Sequence, residues 1–222
     1  MPLPDFIIVG AMKAGTTTLA DYLRHHSEIY MPEEELHFFD ARGGYTDRWE
    51  RGVKWYEKQF ESADPSDICG EKTPTYSCLP SVPERIYQVV PDVKIIWILR
   101  NPVDRSYSNY WHAVRAGAEK LSFEEAVKQE DERIKENIWK GYVRRSHYIN
   151  QIDRFLEYFD RESMHFCLFA NMKNNLVSLI NEVTVFLGAG DGGVDPQATE
   201  KKENMTVLPY SVFVRRAARK MN

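Results

Sequence analysis

The stretch Val9-Gly10-Ala11-Met12-Lys13-Ala14-Gly15-Thr16-Thr17-Thr18-Leu19 constrains this chain more than any other, because it joins an apolar strand, Phe6 to Val9, to a helix through a glycine-bearing, hydroxyl-rich turn. Chains build phosphate cradles this way. Glycines let the backbone bend and approach an anion closely, and the first amides of the following helix aim unpaired donors at it. A nucleoside triphosphate P-loop reads G-x-x-x-x-G-K-[ST], with its lysine after the second glycine and its hydroxyl on magnesium. Gly10 and Gly15 keep the glycine spacing, but Thr16 stands where that lysine belongs and the lysine has moved back to Lys13. The turn therefore points to phosphate chemistry other than ATP hydrolysis.

A second segment supports a phosphate ligand independently. Val93 to Leu99 is a short apolar run rich in β-branched residues, as expected of a buried parallel strand. It runs into Arg100-Asn101-Pro102, where Asn101 suits a helix cap and Pro102 the first helical turn. Arg100 then sits at the carboxyl end of a strand, where open α/β sheets bind ligands, and Ser108 lies about two turns into the helix. An arginine and a serine so placed can clamp a second phosphate. Each segment alone is a common pattern. Together, in this order on two apolar strands, they carry the case.

The first motif resembles the 5'-phosphosulfate loop of sulfotransferases that use 3'-phosphoadenosine 5'-phosphosulfate (PAPS), and Arg100 with Ser108 resembles the family's 3'-phosphate-binding segment. Two further segments extend the likeness. Read plainly, Pro32-Glu33-Glu34-Glu35-Leu36-His37-Phe38-Phe39-Asp40 is a solvated charge run followed by core. It is also similar to the E-x-H-F-F-D segment of the carbohydrate-modifying, heparan-sulfate-type branch, which puts that branch's proposed general base at Glu35, with His37 and Asp40 matching the residues that follow. Gly70-Glu71-Lys72-Thr73-Pro74-Thr75-Tyr76 resembles the family's E-K-T-P-x-Y segment, whose lysine lies near the transferring group. The plain alternative is a surface Thr-Pro turn. Because Asp67-Ile68-Cys69 reads as a short strand, Lys72 falls at the carboxyl edge of the sheet, and a functional role suits it better than Glu71.

The resemblance implies an α/β fold, a three-layer P-loop-like domain with a mainly parallel central sheet flanked by helices, which the alternation of strand and helix patterns also favours. It implies transfer of a sulfuryl group from PAPS to a hydroxyl of a carbohydrate, lipid or other small acceptor, leaving 3'-phosphoadenosine 5'-phosphate (PAP). Catalysis is then mainly positioning and electrostatic stabilisation, as in phosphoryl transfer. Lys13 neutralises the leaving phosphate oxygen, with Ala14, Gly15, Thr16, Thr17 and Thr18 around the 5'-phosphate and Arg100 and Ser108 on the 3'-phosphate. Lys72 polarises the sulfuryl oxygens. Glu35 takes the acceptor's proton, an assistance worth on the order of 10² to 10⁴ in rate. His37 is the competing base, since other branches use a histidine and imidazole has the more convenient pKa. Asp40 orients the lysines or the substrate.

No metal is expected, because the Walker lysine is displaced and no acid ends the Val93 to Leu99 strand. Asp92 and Asp104, close to that strand, read as turn and helix caps. Two other functions fit parts of the pattern. A P-loop kinase would need ATP and magnesium, and Lys13 and Thr16 speak against it. A non-catalytic nucleotide- or glycan-binding protein would keep the cradle without a base or Lys72.

The rest of the chain bounds these readings. With 222 residues, 43% of them hydrophobic, it can form one domain over 1–222 with a full core. A net charge of -4 argues against a nucleic-acid partner. Arg144-Arg145, Lys201-Lys202 and Arg215-Arg216-Arg219-Lys220 could face an anionic ligand, but solvated helix faces are their default reading. Three scattered cysteines make neither a disulfide framework nor a zinc site. Without a secretory signal or an apolar run near 20 residues, the expectation is a soluble cytoplasmic protein with no membrane span, unlike the anchored animal Golgi members of the family. Ser122-Phe123-Glu124-Glu125 reads as a capping box. Arg145-Ser146-His147-Tyr148 resembles the family segment before a long helix, where a serine or aromatic residue approaches the nucleotide; Ser146 reads equally as a helix start, and Tyr148, Ile152, Phe155, Leu156 and Phe159 as the apolar stripe that follows. Leu176, Leu179, Ile180, Val183, Phe186 and Leu187 form another apolar face. Gly188 to Gly193 is a loop with no strand before it. Lys201 to Thr206 lies where relatives close a loop over the 3'-phosphate, without matching residues, and Pro209 to Lys220 reads as a last helix.

Overall fold

The computed structural model describes residues 2–40 and 47–190. Five strands, β1 (Phe6–Gly10), β2 (Ile29–Tyr30), β3 (Ile68–Lys72), β4 (Lys94–Leu99) and β5 (Met164–Leu168), form one sheet in the order β2-β3-β1-β4-β5. Every pairing is parallel. The helices are α1 (Thr16–Arg24), α2 (Val53–Glu57), α3 (Val82–Val89), α4 (Pro102–Arg115), α5 (Phe123–Lys128), α6 (Glu130–Glu136), α7 (Tyr148–Leu156), α8 (Phe169–Asn174) and α9 (Leu176–Leu187). This is the expected α/β architecture.

Side chains of a strand alternate between faces, and the two cores follow that alternation. Ile7, Val9, Ile95 and Trp97 face an aromatic layer that includes Phe38, Phe39, Tyr56, Phe60 and Phe155. Phe6, Ile8, Ile96 and Ile98 face Leu19 and Leu23 of α1 and Ile180 and Val183 of α9. Covered on both faces, the central strands can be almost wholly apolar.

Parallel pairing gathers the carboxyl ends of β1, β3 and β4 at one edge. Ile8 stands opposite Lys72, and Gly10 opposite Trp97. The strand expected over Asp67 to Cys69 starts at Ile68 and continues through Glu71 and Lys72. Glu71 is tolerated inside it because the Tyr56 hydroxyl donates to Oε1 (2.5 Å) and the Thr73 hydroxyl to Oε2 (2.9 Å). Thr73 to Tyr76 is no surface turn. Tyr76 is fully buried, and its oxygen accepts from the amides of Phe38 (2.8 Å) and Phe39 (3.3 Å), pinning the Glu35 segment to the Lys72 segment.

The cap at Asn101 is present, its Oδ1 accepting from the amides of Val103 and Asp104. So is the Ser122–Glu125 capping box. Ser146 is not a cap. It is buried at the end of a short 3-10 turn, Arg144–Ser146, where Arg105 Nε donates to its hydroxyl (2.6 Å). Leu156 leaves the apolar stripe of α7 and is exposed. Cys69, Cys78 and Cys167 are buried free thiols. The readings at Asp191 to Gly193, Lys201 to Thr206, Pro209 to Lys220 and the Arg215 to Lys220 cluster lie outside the described residues.

Candidate active site

A cleft of about 780 Å³ opens at the carboxyl edge of the sheet, bounded by the Gly10–Gly15 loop, the Glu35 segment, α4 and the turn that carries Arg145. The loop is fixed by what surrounds it. A Cβ on Gly10 would lie 2.4 Å from Ser77 Oγ, and Gly15 combines φ +93° with a Cβ position 2.7 Å from Met172 Sδ. Lys13 takes φ 70°, a conformation that costs a non-glycine residue roughly 1–2 kcal/mol. Arg100 Nη1 holds it there through the Lys13 carbonyl (3.0 Å). Strain kept by such support is common at binding sites.

Lys13, Gly15, Thr16, Thr17 and Thr18 line the cleft. Gly15 caps α1 without a side-chain hydrogen bond, and no acid occupies the first turn, so the helix start offers bare amides. Ala14 lies behind them: it is buried and its amide donates to the Ala11 carbonyl (3.0 Å), so it shapes the loop. Burial, then the charges of Arg115 and Arg100, lower the pKa of Lys13 from the ordinary lysine value.

Arg100 and Ser108 meet on the same cleft. The Arg100 guanidinium lies over Phe169 (4.7 Å), and the Tyr148 hydroxyl donates to the Arg100 carbonyl (2.9 Å). Arg100 Nε is buried and has no partner among the described residues. A buried donor without a partner costs stability, and an incoming anion removes that cost.

Opposite the loop, charges alternate in a chain. Lys72 Nζ contacts Glu35 Oε1 (2.8 Å) and Thr17 Oγ1 (3.4 Å). Glu35 Oε2 faces His37 Nε2 (3.3 Å), and His37 Nδ1 faces Asp40 Oδ2 (2.8 Å). The Thr75 hydroxyl donates to the same Asp40 oxygen (2.6 Å). Asp40, read from sequence as orienting the lysines or substrate, is fully buried against His37 and Thr75 instead. His37 takes φ 47° and donates its amide to Thr73 Oγ1 (3.4 Å). Arg48 Nη1 donates to the carbonyls of Leu36 (2.7 Å) and Glu35 (3.3 Å), fixing the backbone that presents the carboxylate.

Electrostatics separates the two candidate bases. Burial lowers the pKa of His37, but its bonds to Asp40 and Glu35 prevail and raise it to about 9. At neutral pH it is an imidazolium whose two N–H groups point at carboxylates, with no lone pair to accept a proton. Burial raises the pKa of Glu35, and the bonds to His37 and Lys72 outweigh it and lower the value. Glu35 is therefore ionised, and it lines the cleft. Glu71, buried behind, is raised to about 7, chiefly by burial.

Asp104 is exposed in the first turn of α4, and Asp92 precedes β4 at the opposite end of the strand from the cleft. Among the described residues, no three His, Cys, Asp or Glu side chains are grouped to hold a metal ion.

Sequence reasoning missed part of the site. Asn109, His112, Arg115, Trp139, Arg145 and Phe169 also line the cleft. The spacing Ser108, His112, Arg115 is i, i+4, i+7 on α4, a signal that was available. Arg145 gave none. Its neighbour Arg144 is exposed and paired with Asp131 (2.6 Å), whereas Arg145 is 5% exposed beneath Trp139 (4.7 Å).

Residues 3–207 match the family described as the sulfotransferase domain. The chain belongs to the sulfotransferase domain family. Heparan sulfate glucosamine 3-O-sulfotransferase 5 of Mus musculus is 32% identical over 167 residues, 73% of this chain and 47% of that protein. The chain thus spans about half the length of this curated relative. A sulfotransferase from Alicyclobacillus acidocaldarius superposes with a TM-score of 0.81 at 32% identity, covering 98% of this chain and 93% of that one. Mouse sulfotransferase SULT7A1, solved in complex with PAP, shares the fold at TM-score 0.58 and 19% identity, over 90% of this chain and 62% of its own.

Proposed function

We propose that this sulfotransferase-family chain transfers a sulfuryl group from PAPS to a hydroxyl, with a carbohydrate as acceptor class. One observation carries the reading: a carboxylate, Glu35, faces the phosphate cradle across a single cleft while bonded to Lys72 and backed by an imidazolium. The cleft suits an anionic nucleotide, with bare amides at the start of α1, Lys13, and the unpartnered Arg100 Nε beside Ser108. Gly15 to Thr18 would hold the 5'-phosphate, and Arg100 with Ser108 the 3'-phosphate. PAPS supplies the sulfuryl group and departs as PAP.

The chain's own groups then have separate tasks. Glu35 accepts the hydroxyl proton as the acceptor oxygen bonds to sulfur and the sulfur–oxygen bond to phosphate breaks. Lys13 and the α1 amides stabilise charge on the departing oxygen. Lys72 is shared between Glu35 and the sulfuryl oxygens. As it turns to the latter, the carboxylate loses a cation and becomes more basic. His37 stays between Glu35 and Asp40 and fixes the direction of the carboxylate. The heparan sulfate relative and the matching Glu35–Asp40 segment support a sugar acceptor. No helix of the described residues is long and apolar enough to cross a membrane. A cytoplasmic location belongs to the proposal through the free thiols alone, and fractionation of the producing cell checks it.

Calorimetric titration with PAP in EDTA, repeated with ATP and magnesium, tests the donor assignment. The expected result is metal-independent PAP binding that weakens in Arg100→Ala. Binding of ATP with magnesium alone would replace this reading with a kinase, and binding of neither would replace it with a non-nucleotide function.

A further inference from the structure

Two polar side chains of the cleft have no use in the site as described. Arg145 and Asn109 are 5% and 3% exposed, both line the cleft, and Arg145 Nε and Asn109 Nδ2 have no hydrogen-bond partner among the described residues. Buried donors are almost always paired, so two orphans on one cavity mark a place where a ligand supplies acceptors.

The surroundings say what kind. Arg145 stacks on Trp139 and its Nη2 reaches only the Met12 thioether (3.2 Å), a weak acceptor. Asn109 is one turn beyond Arg105 on α4, and Arg105 Nε bonds Ser146, the residue after Arg145, so α4 and the Arg145 turn pack together here. Arg105 is itself buried, bonded to the Ser146 hydroxyl and to the carbonyls of Tyr142 and Met12. None of the ion pairs of the described residues involves either guanidinium. Two buried cations without a carboxylate are costly, and a neutral ligand leaves that cost in place.

We infer that Arg145 and Asn109 form an oxyanion-binding pocket of the cleft, additional to the loop and the Arg100–Ser108 pair, which takes a phosphate- or sulfate-type group through Arg145 Nε and Asn109 Nδ2. This rests on the cleft being a donor and acceptor site. The group has two possible sources, the 3'-phosphate of the donor or an anionic substituent of the acceptor.

Calorimetry on wild type and Arg145→Gln, with PAP, adenosine 5'-phosphate and inorganic sulfate as probes, decides. If the donor is the source, Arg145→Gln binds PAP at least about tenfold more weakly and adenosine 5'-phosphate unchanged, the size of one lost charge-assisted hydrogen bond. With the acceptor as source, PAP binding is unchanged and the sulfate binding of the PAP-loaded wild type disappears from the PAP-loaded variant. Equal binding of all three probes by both proteins overturns the pocket. Should wild type bind no PAP, the proposed function fails, and sulfate alone still decides the pocket: its loss in the variant supports it, and equal binding refutes it. Asn109→Ala is read in the same way if Arg145→Gln does not fold.

Discussion

The two walls of the cleft are built on opposite electrostatic plans. On the cradle side, Lys13, Arg100, Arg115 and Arg145 line the space without an ion pair to a carboxylate of the described residues, and two of the guanidiniums keep an unpartnered Nε. On the Glu35 side, each charge already touches its opposite, Lys72 to Glu35 to His37 to Asp40. The first wall is incomplete without an anion and gains from binding one. The second pairs each of its charges, leaving only Asp40 Oδ1 without a hydrogen bond among the described residues, and its pairing changes when the chemistry redistributes its contacts. On the proposed function, proton transfer falls to the Glu35 wall and nucleotide binding to the cradle wall, whose Lys13 also serves the leaving group, and substitutions should separate proton transfer from binding.

The sharpest separation is expected at Glu35. Glu35→Gln keeps the shape and should retain PAP affinity while transfer falls by about 10² or more. A loss of PAP affinity equal to the loss of transfer would merge the two walls. Arg100→Ala should do the reverse in binding: PAP affinity falls roughly 10- to 100-fold, and adenosine 5'-phosphate weakens less, through the lost support of the Lys13 carbonyl, as calorimetry would show.

Stability against pH sharpens the second wall. The folded pKa of His37, about 9, lies above its ordinary value of 6.5, so its contribution is complete below 6.5 and is lost as pH rises through about 9. Wild type should show a decline in Tm across that window that His37→Gln lacks. Matching slopes in the two proteins would mean that the imidazolium does not bridge Glu35 and Asp40. The smallest effect is expected at Gly15, where alanine would meet a positive φ and the Met172 thioether, which can yield. Gly15→Ala should cost about 1–2 kcal/mol in denaturant unfolding.

The cradle wall was legible where its meaning is local. Gly10, Gly15, Thr16 and Arg100 are defined by spacing along the chain and by the end of a strand, and the parallel sheet brings those ends together. Lys72 was legible for the same reason. The role of His37 was not, because it depends on a left-handed backbone at φ 47° that turns one ring between residues two before and three after it. Neither helix nor strand periodicity produces that arrangement. Arg144 and Arg145 are the same residue type side by side in a 3-10 turn, and the environment that buries the second comes from Trp139 and from Met12, far away in sequence. The helix-start reading of Ser146 fails for a related reason: a serine before a helix suggests a cap, but here a buried arginine claims its hydroxyl.

Transfer from radiolabelled PAPS to a panel of carbohydrates, run in parallel with wild type, Glu35→Gln and His37→Gln, tests the central claim most directly. The account predicts labelled product with wild type, almost none with Glu35→Gln, and reduced but measurable product with His37→Gln. Wild-type rates in Glu35→Gln together with none in His37→Gln would contradict it and move the base to His37.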